Sequence, residues 1–183
     1  MSGDVTVISG PTAVGKGTVV RALKARHPAV WVSVSATTRP PRPGEVDGEH
    51  YWFVSSAAFD ELEASDGLLE WAVVHGRDRY GTPSAPVLDA LARGERVILE
   101  IDLQGARQVK AKLPQARLVF IAPPDWDELV ARLVGRGTET AEQRERRLVT
   151  ARAELAAADE FDHVVVNDEV GRAVDELVDL LGL

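Results

Sequence analysis

The sequence predicts one α/β domain in which a central parallel sheet is covered by helices on both faces. Apolar strand patterns alternate with helical patterns along most of the chain. The first strand, starting at Val5, runs through a glycine-rich loop directly into a helix. With 183 residues, 45% of them hydrophobic, the chain is long and apolar enough for a single compact core.

The strands are expected as short apolar runs, and the runs at 96–101 and 117–121 are apolar enough for the centre of a parallel sheet. Further strands are expected at 30–34, 68–74 and 163–166. Helix signals fall between them, including an N-cap and proline at Thr82-Pro83 and a capping box at 140–143. The expected helices cover 18–26, 57–64, 83–94, 125–134, 141–158 and 170–181.

Two segments break this alternation. Residues 35–82 contain Pro40, Pro41 and Pro43 and several short extended runs, and we expect an inserted, mostly antiparallel unit there because the segment is too long for a plain loop. Residues 135–138 contain two glycines, and we expect a hinge-like turn there between two helices that carry arginines.

The loop after the first strand is predicted to bind phosphate. Its glycines let successive N–H groups point at one spot, while Lys16 and the positive end of the next helix add charge. A chance glycine turn is disfavoured by the strand before and the helix after. The predicted phosphate loop consists of Gly10, Pro11, Thr12, Ala13, Val14, Gly15, Lys16, Gly17 and Thr18.

One position departs from the usual pattern of such loops. Gly17 stands where a serine or threonine hydroxyl commonly holds Mg²⁺, and the hydroxyl comes one residue later, at Thr18. We therefore expect the magnesium ion to be held mainly by water and by nucleotide oxygens, since Mg²⁺ gives up its waters reluctantly.

A second anion site is indicated at residues 35–45, here called the arginine loop. Arg39 and Arg42 lie three residues apart on a backbone stiffened by prolines, and arginine grips phosphate with two parallel hydrogen bonds. Tyr51 and Tyr80 could add hydroxyl donors. Taken alone, a solvated loop with ion pairs explains this segment equally well.

Acidic residues in the same region suggest a base-reading site. They are Glu45, Glu70, Glu100 and Asp102, and Glu70 lies in an apolar run where a carboxylate needs a donor. Guanine offers two adjacent donors on its pairing edge, which a carboxylate can accept, whereas adenine presents an acceptor there. Each acid on its own is more often solvated or ion-paired.

A third set of charges flanks the glycine turn. Arginines on a closing segment can neutralise charge on a transferred phosphoryl group and exclude water. Arginines on an exposed helix are usually only solvated, so we expect about two of the five to act. The set consists of Arg132, Arg136, Arg144, Arg146 and Arg147.

Composition narrows the function classes. The net charge of −8 argues against a general nucleic-acid coat protein. No cysteine is present, and the four histidines lack metal-ligand spacing. Because no signal peptide and no membrane-spanning run is evident, we expect a cytoplasmic protein without membrane partners.

The three sets, in this order, resemble guanylate kinase, the nucleoside monophosphate kinase that phosphorylates GMP with ATP. The resemblance covers nearly the whole chain, and the arginine-loop motif is far more specific than the phosphate loop. It rests on the segments 9–16, 33–48, Tyr51-Trp52-Phe53-Val54, Glu70-Trp71-Ala72, Tyr80-Gly81-Thr82, Ile101-Asp102-Leu103-Gln104-Gly105, 120–124, 132–137, Arg147-Leu148 and Val165-Val166-Asn167-Asp168.

The resemblance implies a three-layer P-loop kinase fold with a GMP-binding insertion at 35–82 and a mobile lid at 129–147, on a core of 1–34, 83–128 and 148–183. It implies that Lys16 and the loop amides hold ATP, that Asn167 approaches its adenine, and that Arg136, Arg147 and Arg132 come from the lid. The implied GMP-binding residues are Ser35, Arg39, Arg42, Glu45, Tyr51, Glu70, Tyr80, Thr82 and Asp102.

The expected reaction is magnesium-assisted transfer of the γ-phosphoryl group of ATP to GMP, with Glu100 as a possible water-mediated contact of the metal. Two other functions stay open: a non-catalytic guanylate-kinase-like module that binds proteins, and a kinase for another monophosphate. No nucleic-acid partner is expected, and a homo-oligomer is possible. Ala13 and Gly17 depart from the common glycine and serine of the family, and the segment before Tyr80 is one residue longer than usual.

Overall fold

The computed structural model describes residues 3–74, 77–134 and 141–183. Nine strands lie in these ranges: β1 (Val5–Ser9), β2 (Trp31–Val32), β3 (Ala36–Thr37), β4 (Trp52–Phe53), β5 (Leu68–Val74), β6 (Asp78–Pro83), β7 (Val97–Glu100), β8 (Arg117–Ala122) and β9 (His163–Val166). The α-helices in these ranges are α1 (Lys16–Arg26), α2 (Ser56–Ala64), α3 (Ser84–Ala92), α4 (Leu103–Lys112), α5 (Trp126–Val134), α6 (Ala141–Ala156) and α7 (Val170–Leu181).

Five strands form the main sheet in the order β2-β7-β1-β8-β9, and every pairing in it is parallel. All five residues of β1 are buried, as expected for a strand covered on both faces. The α/β class with a central parallel sheet is therefore confirmed. Because parallel strands end at one edge, the loops after β1 and β7 lie side by side.

The core has one layer on each face of the main sheet. Ile8, Leu23 and Leu177 belong to the layer in which α1 and α7 pack on the sheet. Val7, Leu99 and Val109 belong to the layer on the opposite face, which α3 and α4 cover. Successive residues of β1 thus contribute to opposite layers, because neighbouring side chains of a strand point to opposite faces of the sheet.

A second sheet, with the order β4-β3-β6-β5, lies within 36–83 together with α2. Two of its three pairings are antiparallel, as expected for the insertion, whereas β3 and β4 pair in parallel. Phe59 of α2 is fully buried in a small separate core with Leu68. The division into core, insertion and lid stays a prediction.

Several sequence expectations differ from the structure. The strand expected at 30–34 is formed only at Trp31–Val32. Thr82 is not a helix N-cap: it belongs to β6, Pro83 takes the cap position, and the Thr82 hydroxyl is used by Glu70 instead. The helix α4 was not expected from the sequence.

Among the described residues, we find no helix with the length and apolarity needed to cross a membrane.

Candidate active site

The phosphate loop connects β1 to α1. Gly15 has φ of +96°, a conformation that glycine adopts without strain, and the N–H groups of Thr18 and Val19 donate back to its carbonyl to start the helix. A Cβ on Gly10 would lie 2.2 Å from the carbonyl oxygen of Ile121 on β8, so a side chain cannot fit there. Both glycines are thus required by the path of the loop.

Ala13 has φ of +67°, in the left-handed region that disfavours residues with a Cβ. It occupies the position where the resemblance to guanylate kinase implies a common glycine. The backbone of the loop therefore keeps the glycine-like conformation although the residue has changed, and it does so at an energetic cost.

Lys16 lies beneath the loop and is partly buried. Its ammonium donates to the carbonyl oxygens of Gly10 at 2.5 Å and Pro11 at 3.2 Å. Burial lowers the pKa of Lys16, and the negative charges of Glu154 and Glu100 oppose this effect. The ammonium is thus held at the centre of the loop by carbonyl groups and faced by carboxylates.

A cavity of about 250 Å³ lies on the outer side of the loop and includes Arg132 and Asn167 among its walls. The Val14 carbonyl accepts hydrogen bonds from Asn167 Nδ2 at 2.8 Å and from Arg132 at 3.1 Å. Arg132 also donates to the Asn167 carbonyl at 3.2 Å and to Glu128 at 2.5 Å. Both residues therefore support the loop backbone, and their contacts with ATP stay predictions.

Glu100, at the end of β7, borders the phosphate loop. A Cβ on Gly17 would lie 3.2 Å from its Oε1 atom, so the carboxylate occupies the space beside the missing side chain. Burial raises the pKa of Glu100, while Lys16 and Arg21 lower it. The Thr18 hydroxyl accepts a hydrogen bond from Arg21 at 3.3 Å.

The arginine loop is organised around the buried Arg39. Its guanidinium forms a two-point ion pair with Glu45 at 2.6 and 2.7 Å, and its Nε donates to the Tyr80 hydroxyl at 2.8 Å. The Pro40 carbonyl accepts a further hydrogen bond at 3.0 Å. The Tyr51 ring lies against the guanidinium, with its centre 4.9 Å from the central carbon of Arg39.

Glu45 holds the arginine loop together. It accepts from Arg39 and from the backbone N–H of Arg42, and these hydrogen bonds lower the pKa of Glu45 to about 2. Arg42 itself is exposed. The partners of Glu45 are thus groups of its own loop, and its expected contact with GMP stays a prediction.

A cavity of about 120 Å³ lies between the arginine loop and the end of β7. Its lining combines residues from both sheets, and we call it the acid-lined cavity. The residues are Ser35, Tyr51, Glu70, Ala72, Val74, Tyr80, Glu100, Ile101 and Asp102. Tyr51 and Tyr80 meet edge to face in its wall, with ring centres 5.8 Å apart.

Glu70 is the most deeply buried acid of the cavity, with 5% of its surface exposed. It faces Thr82 across the β5–β6 pair, and the Thr82 hydroxyl donates to its Oε1 at 2.6 Å. Burial raises the pKa of Glu70 to about 7, the nearby charge of Asp102 adds to this, and the Thr82 hydrogen bond opposes it. Near neutral pH this carboxyl therefore changes charge.

Asp102 follows β7 and caps α4, where its Oδ1 accepts the backbone N–H of Gly105 at 2.7 Å. The structure thus brings seven of the predicted residues to one region: Ser35, Arg39, Tyr51, Glu70, Tyr80, Thr82 and Asp102. Tyr80 belongs to it although the sequence spacing left its placement open.

The arginines expected in the lid differ in their exposure, and one of them is not described by the structure. Arg136 lies outside the described residues. Arg147 is half-buried on α6, whereas Arg146 is exposed and pairs with Glu142 of the same helix at 2.6 Å, which is the solvated arrangement. Arg144 is also exposed.

Sequence reasoning missed Glu154 on α6. Its carboxylate accepts the backbone N–H of Thr12 at 3.2 Å, which connects α6 to the phosphate loop, and burial raises the pKa of Glu154. A signal was present: Glu154 lies seven residues after Arg147 and three after the buried Ala151, hence on the inward face of its helix.

Comparisons with known proteins agree with this geometry. A family model described as guanylate kinase matches residues 2–182. The guanylate kinase of Cutibacterium acnes is 62% identical over 98% of this chain and 90% of its own length. That of Nocardia farcinica is 61% identical over 97% of this chain and 93% of its own length.

Solved structures give the same result. The guanylate kinase of Anaplasma phagocytophilum has a TM-score of 0.78 at 30% identity and covers 99% of this chain and 85% of its own. A shikimate kinase from Bacteroides thetaiotaomicron, with a TM-score of 0.56 at 16% identity over 98% and 99% of the two chains, shares the fold alone. Since the family model and the close relatives span nearly its whole length, the chain belongs to the guanylate kinase family.

Proposed function

We propose that the chain carries out the reaction of its family, the transfer of the γ-phosphoryl group of ATP to GMP, with ATP on the phosphate loop and GMP in the acid-lined cavity. One observation carries this assignment. Glu100 lines the acid-lined cavity and also lies beside Gly17 of the phosphate loop, so the two sites adjoin. The triphosphate of ATP and the single phosphate of GMP would meet end to end there.

On the ATP side, the backbone N–H groups of the phosphate loop and the ammonium of Lys16 supply positive charge. For phosphate to reach Lys16, the ammonium exchanges its carbonyl partners Gly10 and Pro11 for phosphate oxygens. Its burial strengthens this interaction, because a charge acts more strongly where water is excluded. Asn167 forms part of the cavity wall that we assign to adenine.

On the GMP side, Arg39, Arg42, Tyr51 and Tyr80 would hold the phosphate. Arg39 is aimed by Glu45, which fixes both of its terminal nitrogens. Ser35, Glu70, Thr82 and Asp102 would read the base. The N1–H and amine of guanine favour the ionised form of Glu70, so binding of GMP lowers the pKa that burial has raised.

The attacking group is a phosphate oxygen of GMP, which is ionised near neutral pH because phosphate monoesters have a second pKa of about 6. No general base is required. Catalysis then consists of alignment and of neutralising charge on the bridging oxygens, by Lys16 and Arg39 together with the lid arginines Arg136, Arg147 and Arg132. Closure of the insertion and of a lid at 129–147 would exclude water.

The residues present suit magnesium held through water. Among the described residues, no group of three or more acids or histidines could enclose a metal ion, and Gly17 offers no hydroxyl. Glu100, whose carboxylate lies beside Gly17, would orient metal-bound water at the loop. When bound with ATP, the ion would neutralise the β- and γ-phosphates during transfer.

A kinase for another monophosphate is the main alternative, and the buried carboxylate of Glu70 disfavours it because adenine presents an acceptor there. A non-catalytic module is disfavoured by the intact Lys16 and Arg39. We further propose a cytoplasmic location, without nucleic-acid partners and with homo-oligomers possible. These assignments rest on the composition and on the family resemblance.

An assay of ADP release with ATP and GMP, AMP, UMP or CMP tests the proposal, and we expect activity with GMP only. Glu70→Gln should raise the KM for GMP about 10-fold or more, the effect of losing one charge-assisted hydrogen bond, and leave the KM for ATP almost unchanged. Glu61→Gln, an exposed acid on α2, is the matched control. An equal loss for both nucleotides would refute the guanine-reading role.

A further inference from the structure

The first turn of α4 lies directly against the Glu70 carboxylate. A Cβ on the buried Gly105 would lie 2.7 Å from Glu70 Oε2 and 3.3 Å from Asp102 Oδ1. Contacts of 2.7 Å do not occur at real Cβ atoms, so any side chain here displaces the carboxylate. Glu70 is buried and its other oxygen is bonded to Thr82, so a displacement of the carboxylate disturbs that hydrogen bond.

One helical turn later, Gln108 connects the same helix to the strand that carries Glu70. Its side-chain amide accepts the backbone N–H of Trp71 at 3.1 Å and donates to the Trp71 carbonyl at 3.0 Å. β5 is an edge strand of its sheet, so the Gln108 amide makes the hydrogen bonds that a neighbouring strand would otherwise make. Trp71 directly follows Glu70, and the two hydrogen bonds therefore fix the backbone of that segment.

The helix is also attached to the second acid. Asp102 caps α4 through the N–H of Gly105, and it follows β7 of the main sheet. Glu70, in contrast, belongs to the second sheet. The spacing between the two acids is thus set across two sheets, and α4 contacts both of them: at one end through the cap, and along its side through Gly105 and Gln108.

We propose that Gly105 and Gln108 are positioning residues for guanine specificity, which hold the carboxylates of Glu70 and Asp102 at the separation that matches the donors of guanine. The inference rests on the proposed function, in which these acids read the base. Hydrogen bonds weaken steeply with distance and angle, so a small displacement of Glu70 is sufficient to lose discrimination.

A purely structural role makes a different prediction. If Gly105 only allowed close packing and Gln108 only stabilised the edge strand, their replacement would lower stability and change the KM for both substrates alike. Positioning residues change the KM for GMP and the preference among bases, and leave the ATP site untouched.

The test uses Gly105→Ala and Gln108→Met, which keep the side chains small or similar in size. Two replacements serve as matched controls. Gly171→Ala changes an exposed glycine of α7, where a Cβ would meet Glu169 at an ordinary 3.7 Å. Gln104→Met changes an exposed glutamine of α4 itself. For each protein the KM for ATP, GMP and IMP is measured, because IMP keeps N1–H and lacks the amine.

We expect each test variant to raise the KM for GMP about 10-fold, to leave the KM for ATP within about 2-fold, and to lower the preference for GMP over IMP about 10-fold. The controls should match the parent protein. Alanine has a higher helix propensity than glycine, so we expect Gly105→Ala to fold. Thermal unfolding of Gly105→Ala and Gln108→Met checks that both variants are folded. An unchanged preference for GMP over IMP, or equal effects on ATP and GMP, would overturn the inference.

Glu70→Gln is measured in the same series to separate the two proposals. If it weakens GMP selectively while Gly105→Ala and Gln108→Met behave like their controls, the inference is wrong and the proposed function stands. If Glu70→Gln leaves the KM for GMP unchanged, the guanine-reading assignment fails, and the positioning role of α4 fails with it.

Discussion

The phosphate loop and the acid-lined cavity are built in different ways for their proposed ligands. The phosphate loop is one continuous segment, whose backbone N–H groups and Lys16 are the proposed donors to phosphate. Its shape depends on glycines at fixed positions. The acid-lined cavity is built from side chains of both sheets, including Ser35, Glu70 and Asp102. One site is local in sequence, whereas the other exists only after the two sheets have come together.

This difference affects how each site tolerates change. A backbone site is insensitive to most side chains, as Ala13 illustrates by keeping a left-handed conformation. A side-chain site depends on carboxyl groups whose charge is set by burial and, in our proposal, on residues such as Gln108 that hold the strand carrying Glu70. We therefore expect turnover to depend on Lys16 and the path of the loop backbone, and base selectivity to depend on single side chains of the cavity.

The largest effect is expected for Lys16→Ala. Loss of this partly buried charge should lower turnover on the order of 10²-fold or more, by analogy with removal of a preorganised donor to a developing charge. Arg26→Ala, which removes an exposed cation from the end of the same helix, serves as the control. Near-normal turnover in Lys16→Ala would contradict the assigned role of the loop.

A pH dependence should distinguish the cavity from the loop. Because the pKa of Glu70 is about 7 in the folded protein, the carboxyl is protonated below this value and must lose its proton to accept from guanine. GMP affinity should therefore rise about 30-fold from pH 5.5 to pH 8, by simple titration of one group. The phosphate of GMP titrates as well, so calorimetry with Glu70→Gln provides the baseline, and parallel profiles would contradict this assignment.

Arg39→Lys tests whether the arginine loop needs a fork rather than a charge. Lysine cannot reproduce the two-point pair with Glu45 or the bond to Tyr80, so the KM for GMP should rise about 10-fold. Arg79→Lys, which alters an ion pair on the outer side of the second sheet, is the control. A KM for GMP equal to that of the parent protein would show that charge alone suffices.

The smallest effect is expected for Ala13→Gly. Relief of the left-handed strain, about 1–2 kcal/mol, should exceed the added entropy of the unfolded chain, about 0.4–1 kcal/mol. The free energy of unfolding should therefore increase by about 0.5 kcal/mol, measured by denaturant titration. A decrease would indicate that the loop is not strained at this position.

The sequence allowed prediction of what is local. The strand before Gly10, the phosphate loop and the helix after Lys16 were predictable because glycine spacing and apolar runs act within a few residues. The main sheet followed from the alternation of strands and helices. The order of its strands was not predicted, because sequence periodicity carries no information on which strands become neighbours.

What failed depends on tertiary context. Thr82-Pro83 has the pattern of a helix start, yet the hydroxyl of Thr82 bonds to a buried carboxylate across the sheet, which sequence spacing cannot reveal. Gln108 and Glu154 were missed for the same reason: their partners, Trp71 and Thr12, lie 37 and 142 positions away in the chain. For such distant pairs, the only signal in the sequence is that the residue lies on the inward face of a helix.

The hydrogen bonds to the Val14 carbonyl also determine when the phosphate loop can fold during translation. Asn167, one of its two side-chain donors, is added to the growing chain 153 residues later. β1 similarly acquires its neighbours β7 and β8 only after more than half of the polypeptide has been made. The segment that will hold nucleotide is thus among the earliest to be translated and among the last to be completed, so a ribosome-bound fragment ending before Asn167 cannot yet form the finished loop.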